Sequence, residues 1–348
     1  MKRALITGTT GQDGAYLAKF LLSKGYKVYG TYRRLSTPNF WRLQYLGIFE
    51  KISLIPADLA DMSSIVEAIR MAQPEEIYHL AAQSFVGASF EQPLGSGSIT
   101  GLGVTRVLEA IRQTNPEIKF YQASTSELYG DNALTPQNEA TPFHPASPYG
   151  AAKLYGYSIT QIYREGYGVF ACNGILFNHE SPLRGLEFVT RKISNTAAKI
   201  SLGLEKELGL GNLGAKRDWG YAPEYVESMW MMLQQDSPDD YVIATNETHS
   251  VGEFLEEAFN ILNLDWRGYV KENKSFLRPL DVSLLQGDYS KAKQKLAWEP
   301  EIKFKKLVRL MVEEDLDRWK RWQNGERFPW DAASYPSEAN ILTRGPRI

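Results

Sequence analysis

Tyr149 and Lys153 stand four residues apart in the run Ser147-Pro148-Tyr149-Gly150-Ala151-Ala152-Lys153. Ser147 fits a helix N-cap and Pro148 the first turn, so the phenol and the ammonium share one helical face. A phenol near its ordinary pKa of about 10 is a weak base at neutral pH, and an ammonium beside it favours the phenolate. Upstream, Thr125 and Glu127 follow a strand expected at 118–123. Two residues apart in an extended segment, they point to one side, Thr125 to hold a hydroxyl and Glu127 to move a second proton. A plain reductase needs one acid–base group, so a carboxylate here implies chemistry at a neighbouring carbon. A bare Tyr-x-x-x-Lys also fits a surface pair, and Glu127 also fits a solvated loop.

What surrounds these residues narrows the reading. Gly8, Gly11 and Gly14 lie between a short apolar strand at 4–7 and a helix-period run through Tyr16, Leu17, Phe20, Leu21 and Leu22. A turn there without Cβ atoms lets the backbone approach a pyrophosphate at the helix N-terminus. At the end of the next strand the chain reads Tyr29-Gly30-Thr31-Tyr32-Arg33-Arg34, with no acid for a ribose 2′-hydroxyl. Two guanidiniums instead suit a 2′-phosphate, which favours NADP over NAD. A positively charged nicotinamide ring would add to the effect of Lys153 on Tyr149. Asp58, ending the third strand, fits an acceptor for the adenine amino group and equally a surface loop. Leu80-Ala81-Ala82 ends the fourth with small residues that permit close approach to ribose and phosphates.

The elements that must position these groups alternate. Strands are expected at 4–7, 26–29, 52–56, 76–80 and 118–123, with helices around 65–71 and 105–113 between them. That alternation predicts an α/β fold, a Rossmann-type doubly wound parallel sheet with right-handed crossovers. A strand at 241–244 returns to the sheet. Short helices at 251–262 and 289–296 and an amphipathic helix at 304–322 predict a smaller, mostly helical C-terminal substrate-binding domain. The expected organisation is 1–177 for the cofactor with a return segment at about 219–246, then 178–218 and 247–325 for the substrate. Residues 326–348 are expected to form an extended tail.

Composition excludes other classes. The 348 residues carry 39 Lys plus Arg against 41 Asp plus Glu, a net charge of −2 that gives no field for nucleic acid or acidic lipid. Any bound anion needs a local basic cluster. One cysteine, Cys172, forms no intrachain disulfide, and the four histidines make no zinc spacing with it, so no metal is expected. No run of about 18 apolar residues points to a membrane span, and the apolar run before the first glycine is short for a signal peptide. The expected setting is the cytoplasm.

The glycine run together with Tyr149-x-x-x-Lys153 resembles the extended short-chain dehydrogenase/reductase family. Within it, several segments resemble the GDP-mannose 4,6-dehydratases: Gly8-Thr9-Thr10-Gly11-Gln12-Asp13-Gly14, Gln122-Ala123-Ser124-Thr125-Ser126-Glu127 and Asn178-His179-Glu180-Ser181-Pro182. So do Phe188-Val189-Thr190-Arg191-Lys192-Ile193, Gly211-Asn212-Leu213 and Arg217-Asp218-Trp219-Gly220. The resemblance runs from about residue 1 to 320. It implies that Tyr149 takes the C4 hydroxyl proton of a GDP-sugar, that Thr125 orients that hydroxyl and that Glu127 removes the C5 hydrogen. Lys153 tunes Tyr149 and holds the nicotinamide ribose.

The same resemblance implies further contacts. Thr10, Gln12, Asp13, Leu59, Ser84, His179 and Arg184 join the cofactor site. Ser84, Asn178, Glu180, Val189, Lys192, Arg217, Arg278 and Asp281 meet the sugar nucleotide, with Arg217 and Arg278 on its diphosphate. Departures include Phe85 where many relatives have His, and Arg278-Pro279-Leu280-Asp281 in place of Arg-Pro-x-Glu. The implied partner is GDP-mannose or a close relative such as a GDP-manno-heptose, and the implied assembly a homo-oligomer, dimer or tetramer. A sugar-nucleotide epimerase or 4-ketoreductase would use the same Tyr149 and Lys153 but needs no base like Glu127. A non-catalytic NADP sensor would need none of the three.

Overall fold

The computed structural model describes residues 1–36, 39–131, 134–273, 279–326 and Phe328. Arg278 and the stretch 329–348 of the expected tail lie outside the described residues.

Apolar strands that must be covered on both faces build the centre of the molecule. These are β1 (Arg3–Thr7), β2 (Lys27–Tyr32), β3 (Ser53–Pro56), β4 (Glu76–His79), β5 (Lys119–Thr125), β6 (Ala171–Leu176) and β7 (Asp240–Ile243). They form a seven-stranded sheet in the order β7-β6-β5-β4-β1-β2-β3. Every pairing in it is parallel. Strand order reverses between β1 and β4, the switch point at which such sheets hold ligands.

One face is covered by α2 (Met62–Ala72), α3 (Leu102–Thr114) and α4 (Pro148–Tyr167), through Ile65, Ile69, Val107, Ile111 and Tyr163. On the other face, α1 (Gln12–Ser23) packs against α6 (Ala222–Leu233), with Leu17, Leu21, Met229 and Leu233 buried. A second core lies beyond the carboxyl ends of the strands. It joins α5 (Val189–Ser201), α7 (Val251–Ile261) and α8 (Phe304–Gln323) through Ile193, Phe254, Phe259, Leu307 and Met311. Among the described residues no helix is long and apolar enough to cross a membrane.

The expected elements are present with shifted ends. β2 begins at Lys27 and runs to Tyr32, so Arg33 follows the strand directly. The segment 178–218, for which the sequence predicts no particular element, contains α5, a helix whose Ile193, Ala197 and Ile200 are buried. Val189, Ile193, Ala197 and Ile200 recur on one face of it, and that face packs on α8.

Candidate active site

The cofactor turn is built by backbone proximity. Gly8 has φ +73°, and a Cβ there would stand 2.9 Å from the Cα of Ala81. A Cβ on Gly14 would stand 2.3 Å from the carbonyl oxygen of Gly8. Both positions therefore require glycine, and together they seat α1 against the end of β1. Gly11 is the N-cap of α1 and supplies no side chain to its first turn, which suits an anion held by the helix amides. Behind this turn the Thr7 hydroxyl accepts from the N–H groups of Leu80 and Ala81, each at 3.1 Å. Its own proton then goes to Nδ1 of His79 at 2.9 Å. Burial, and next the charge of Lys153, pushes that imidazole down to about 3, so His79 is a neutral strut between β1 and β4.

The turn opens into a cleft of about 1120 Å³. That exceeds the roughly 300–1,000 Å³ of an ordinary one-ligand pocket, and suits a dinucleotide and a second nucleotide together. Gly8, Thr10, Gly11, Gln12, Asp13, Gly14, Arg33, Asp58, Leu59, Leu80, Ala81, Ala82 and Ser84 line it on the sheet side. Arg34 does not: it is exposed and absent from the lining, because it lies one residue further out along the chain leaving β2. Asp58 lines the cleft, but its Oδ1 accepts from Ala60 N–H at 2.9 Å and so also closes its own turn.

Asp13 reaches across to the second side. Its Oδ2 lies 2.9 Å from Nε2 of His179, and Nε2 of Gln12 donates to its Oδ1 at 3.0 Å. Burial raises this carboxyl, yet the charge and hydrogen bond of His179 outweigh it and hold Asp13 at about 2. For His179, burial lowers the imidazole and Asp13 overrides it, so the ring stays charged more readily than usual.

Tyr149 and Lys153 lie on α4, whose N-cap Ser147 accepts from Gly150 N–H at 3.0 Å. Thr125 ends β5, but Glu127 is not in an extended segment. It sits on a 3-10 turn, Ser126–Leu128, and its N–H donates to Thr125 Oγ1 at 3.3 Å. The turn brings the two side chains into the same cleft as Tyr149 by folding back, where the expectation had relied on strand alternation. Glu127 and Tyr149 each keep 8% of their surface and Lys153 keeps 4%. Burial first, and the Glu127 carboxylate second, push the Tyr149 phenol up, while a hydrogen bond with Thr125 and the charge of Arg184 pull it down. Lys153 donates to Ala123 O at 2.5 Å, with its Nζ 5.8 Å from the Tyr149 ring centroid. Burial pushes its ammonium down to about 8. Lys153 thus meets the ring without a hydrogen bond to the phenol.

The second side of the cleft is lined by Asn178, His179, Glu180, Arg184, Val189, Lys192, Arg217 and Asp281. Asn178 Oδ1 is buried with no hydrogen-bond partner among the described residues, an acceptor that suits a ligand donor. Arg217 Nη1 donates to Val282 O at 2.7 Å and its Nη2 lies 3.4 Å from Asp281 Oδ1, which orients the guanidinium. Burial lowers the Lys192 ammonium. Glu180 is 2% exposed, and its Oε2 takes the Thr190 hydroxyl at 2.6 Å and faces Arg184 Nε at 3.1 Å. Its Oε2 is thus engaged by protein groups while the residue lines the cleft. Arg278 lies outside the described residues.

Several side-chain contacts at the cleft have no signature in the sequence. Arg184 stacks 3.6 Å over the Phe188 ring, and Phe188 meets Phe85 edge-on at 5.8 Å, an aromatic bridge across the cleft. Phe188 lies in a quoted motif, but nothing in its spacing announces a cation partner. Arg42 and Arg191 reach this region from the two cores.

The sheet order, the glycine turn at the switch point and the Tyr-x-x-x-Lys helix beside it define a member of the extended short-chain dehydrogenase/reductases. Residues 5–311 match the family profile described as GDP-mannose 4,6 dehydratase, and the chain belongs to that family. It is 51% identical over 330 residues to GDP-mannose 4,6 dehydratase 2 of Arabidopsis thaliana, covering 92% of this chain and 88% of that protein. It is 50% identical over 339 residues to the Homo sapiens GDP-mannose 4,6 dehydratase, covering 90% and 91%. The fold is similar to that of a dTDP-glucose 4,6-dehydratase from Bacillus anthracis in complex with NAD. That match has a TM-score of 0.81 at 19% identity, over 93% of this chain and 99% of that one.

Proposed function

We propose that the protein removes water from GDP-mannose to give GDP-4-keto-6-deoxy-mannose, with a nicotinamide dinucleotide held in the glycine-turn half of the cleft. Such a cofactor, when bound, supplies a hydride acceptor and donor, so the overall reaction needs no external reductant. The residues do the proton work. Tyr149 takes the C4 hydroxyl proton, and Thr125, hydrogen-bonded beside it, orients that hydroxyl. A ketone at C4 acidifies the neighbouring C5–H, and Glu127 is the base within the same cleft. Water is lost from C6. Lys153, charged below about pH 8, keeps a positive charge beneath the Tyr149 ring. Arg217 and Lys192 suit the nucleotide diphosphate.

The single observation that carries this reading is Glu127 buried beside Thr125 and Tyr149. An epimerase or a 4-ketoreductase has no use for that second carboxylate. Arg33 at the cleft and the lack of an acid at the end of β2 support NADP as the cofactor. Leu102, Tyr155 and Ile162 stand exposed on α3 and α4, and this apolar face supports a homo-oligomer. Light scattering on the purified protein reads the oligomeric state directly.

The deciding experiment incubates purified protein with a panel of GDP-sugars, mannose and manno-heptose among them, under mass detection. Loss of one water from GDP-mannose without added reductant is the expected result. Stoichiometric consumption of NADPH would replace this reading with a ketoreductase.

A further inference from the structure

Three consecutive carbonyl oxygens, those of Pro182, Leu183 and Arg184, are gripped by two guanidiniums arriving from the two cores, that of Arg191 buried and that of Arg42 partly buried. Arg42 lies in the short helix Trp41–Tyr45, packed on the sheet-side core through Leu43. Its Nε donates to Leu183 O at 2.7 Å and its Nη1 to Thr10 O at 3.1 Å. One planar fork thus ties this loop to the glycine turn. Arg191, in α5, donates Nη1 to Pro182 O at 2.5 Å and to Arg184 O at 3.0 Å. The rest of its guanidinium is fixed on Asp315 of α8, with Nε at 3.0 Å and Nη2 at 2.8 Å. Ser194 donates to the same carboxylate at 2.6 Å, and Arg318 also pairs with it. Ser181 closes the loop from within, accepting from Leu183 N–H at 3.0 Å and donating to Gln12 Oε1 at 2.7 Å.

Three of these bonds, one from Arg42 and two from Arg191, end on the backbone that carries Arg184. A plain folding staple between α5 and α8 requires only the Arg191–Asp315 pair. Two further bonds from Arg191 and one from Arg42 go to a loop whose one cation lines the cleft. Crowding three guanidiniums is unfavourable: burial, and then the charge of Arg191, pushes Arg42 down to about 10, with Glu187 opposing. Arginine suits the task because its fork binds two fixed acceptors at once, which an ammonium cannot reproduce.

We propose that Arg42 and Arg191 are positioning residues for Arg184. By clamping the backbone on both sides of Leu183, they hold the Arg184 guanidinium stacked on Phe188 and paired with Glu180, at the cleft that Tyr149 also lines and in which an anionic ligand would sit. The catalytic part of this inference rests on the reading of Tyr149 as the proton acceptor. In support, the charge of Arg184 favours the Tyr149 phenolate.

The test is a double-mutant cycle in the full chain between Arg42→Lys and Arg184→Ala, with Asp315→Asn as a second route into the same loop. Two quantities are read: NADPH dissociation, from the fluorescence of the reduced nicotinamide, and the acid-side midpoint of the pH–kcat profile with GDP-mannose. Loss of a charge-assisted contact in Arg184→Ala weakens NADPH about tenfold. Arg42→Lys weakens it several-fold, and the double variant is no worse than Arg184→Ala alone, because both act through one guanidinium. The acid midpoint moves to higher pH in each single variant. Full additivity in the double variant, or an Arg42→Lys enzyme that loses melting temperature with its midpoint unmoved, overturns the proposal. Should Asp315→Asn fail to fold, Arg42→Lys carries the cycle, since it keeps the charge and loses only the fork. If the parent protein does not dehydrate GDP-mannose, the functional reading fails while the NADPH cycle still decides the positioning.

Discussion

Asp13 and His179 form a closed pair across the cleft: Oδ2 lies 2.9 Å from Nε2, while Nδ1 of the same ring lies 2.7 Å from Phe177 O. A carbonyl and an ionised carboxylate both only accept, so with Asp13 ionised Nδ1 and Nε2 each donate and the ring is an imidazolium. The ring also stacks on Tyr225 with centroids 4.7 Å apart. One face of the glycine turn is therefore pinned to the chain that follows β6.

That pair sets a pH window for stability. Asp13 is held at about 2, below its ordinary 3.8, so its contribution is complete above about pH 4 and is lost as pH falls toward 2. His179 is raised above its ordinary 6.5, so its contribution is complete below that value and is lost as pH rises through the folded value. His179→Gln should therefore cost most near about pH 5, on the order of 1–2 kcal/mol, and less at either extreme. Thermal melts of both proteins across pH test this, and a difference that stays flat with pH would contradict the ion pair.

Glu127→Gln removes the base but keeps the size and the turn at Ser126–Leu128. Turnover should fall by about 10²–10⁴, the usual worth of a general base. The informative readout is the C5 hydrogen. In deuterated water the parent enzyme should place solvent deuterium at C5 of the product, and the variant should not. Continued C5 labelling in Glu127→Gln would assign the proton transfer elsewhere.

The legible and illegible parts of this molecule divide along physical lines. Gly8, Gly14, Ser147 and Pro148 could be read in advance because a turn and a helix start depend on neighbours in the chain. Tyr149 and Lys153 followed from helical spacing. Strand alternation points Glu127 to the side of Thr125, but in the structure a 3-10 turn directs it into the cleft. Arg42 and Arg191 were invisible because their acceptors are backbone carbonyls, which have no sequence signature; the Arg42–Leu183 bond spans 141 residues. The stripe of α5, Val189, Ile193, Ala197 and Ile200, is diluted in the sequence by polar and basic residues on its outer face, and the helix is completed by packing on α8.

Lys153 illustrates a cost carried for function. Its folded value of about 8 lies below its ordinary 10.5, so between these values the unfolded chain binds more protons. Stability should rise with pH across that interval, and the penalty is complete below about pH 8. Lys153→Met, which fills similar space without the buried charge, should stabilise the ligand-free protein at neutral pH by on the order of 1–3 kcal/mol. It should also abolish turnover. Melting the two ligand-free proteins side by side checks it, and a destabilised Lys153→Met would mean that the bond to Ala123 O outweighs the burial of the ammonium.

Arg33 and Arg34 separate what the sequence presents as a pair. Arg33 leaves β2 directly after Tyr32 and lines the cleft beside Asp58 and Leu59, whereas Arg34 is exposed outside it. If the cleft takes a 2′-phosphate, Arg33 is the cation that meets it, and a guanidinium–phosphate contact is strong because two N–H groups align with two oxygens. Arg33→Ala should weaken NADP binding by about 10- to 100-fold while leaving NAD within a few-fold of the parent. Arg34→Ala should change both cofactors little, since an exposed charge at this distance acts only through screened solvent. Titrating each variant with both cofactors, at one fixed ionic strength, separates the two residues. Equal losses of NADP and NAD in Arg33→Ala would remove the phosphate contact, and a large NADP-selective loss in Arg34→Ala would return that residue to the site.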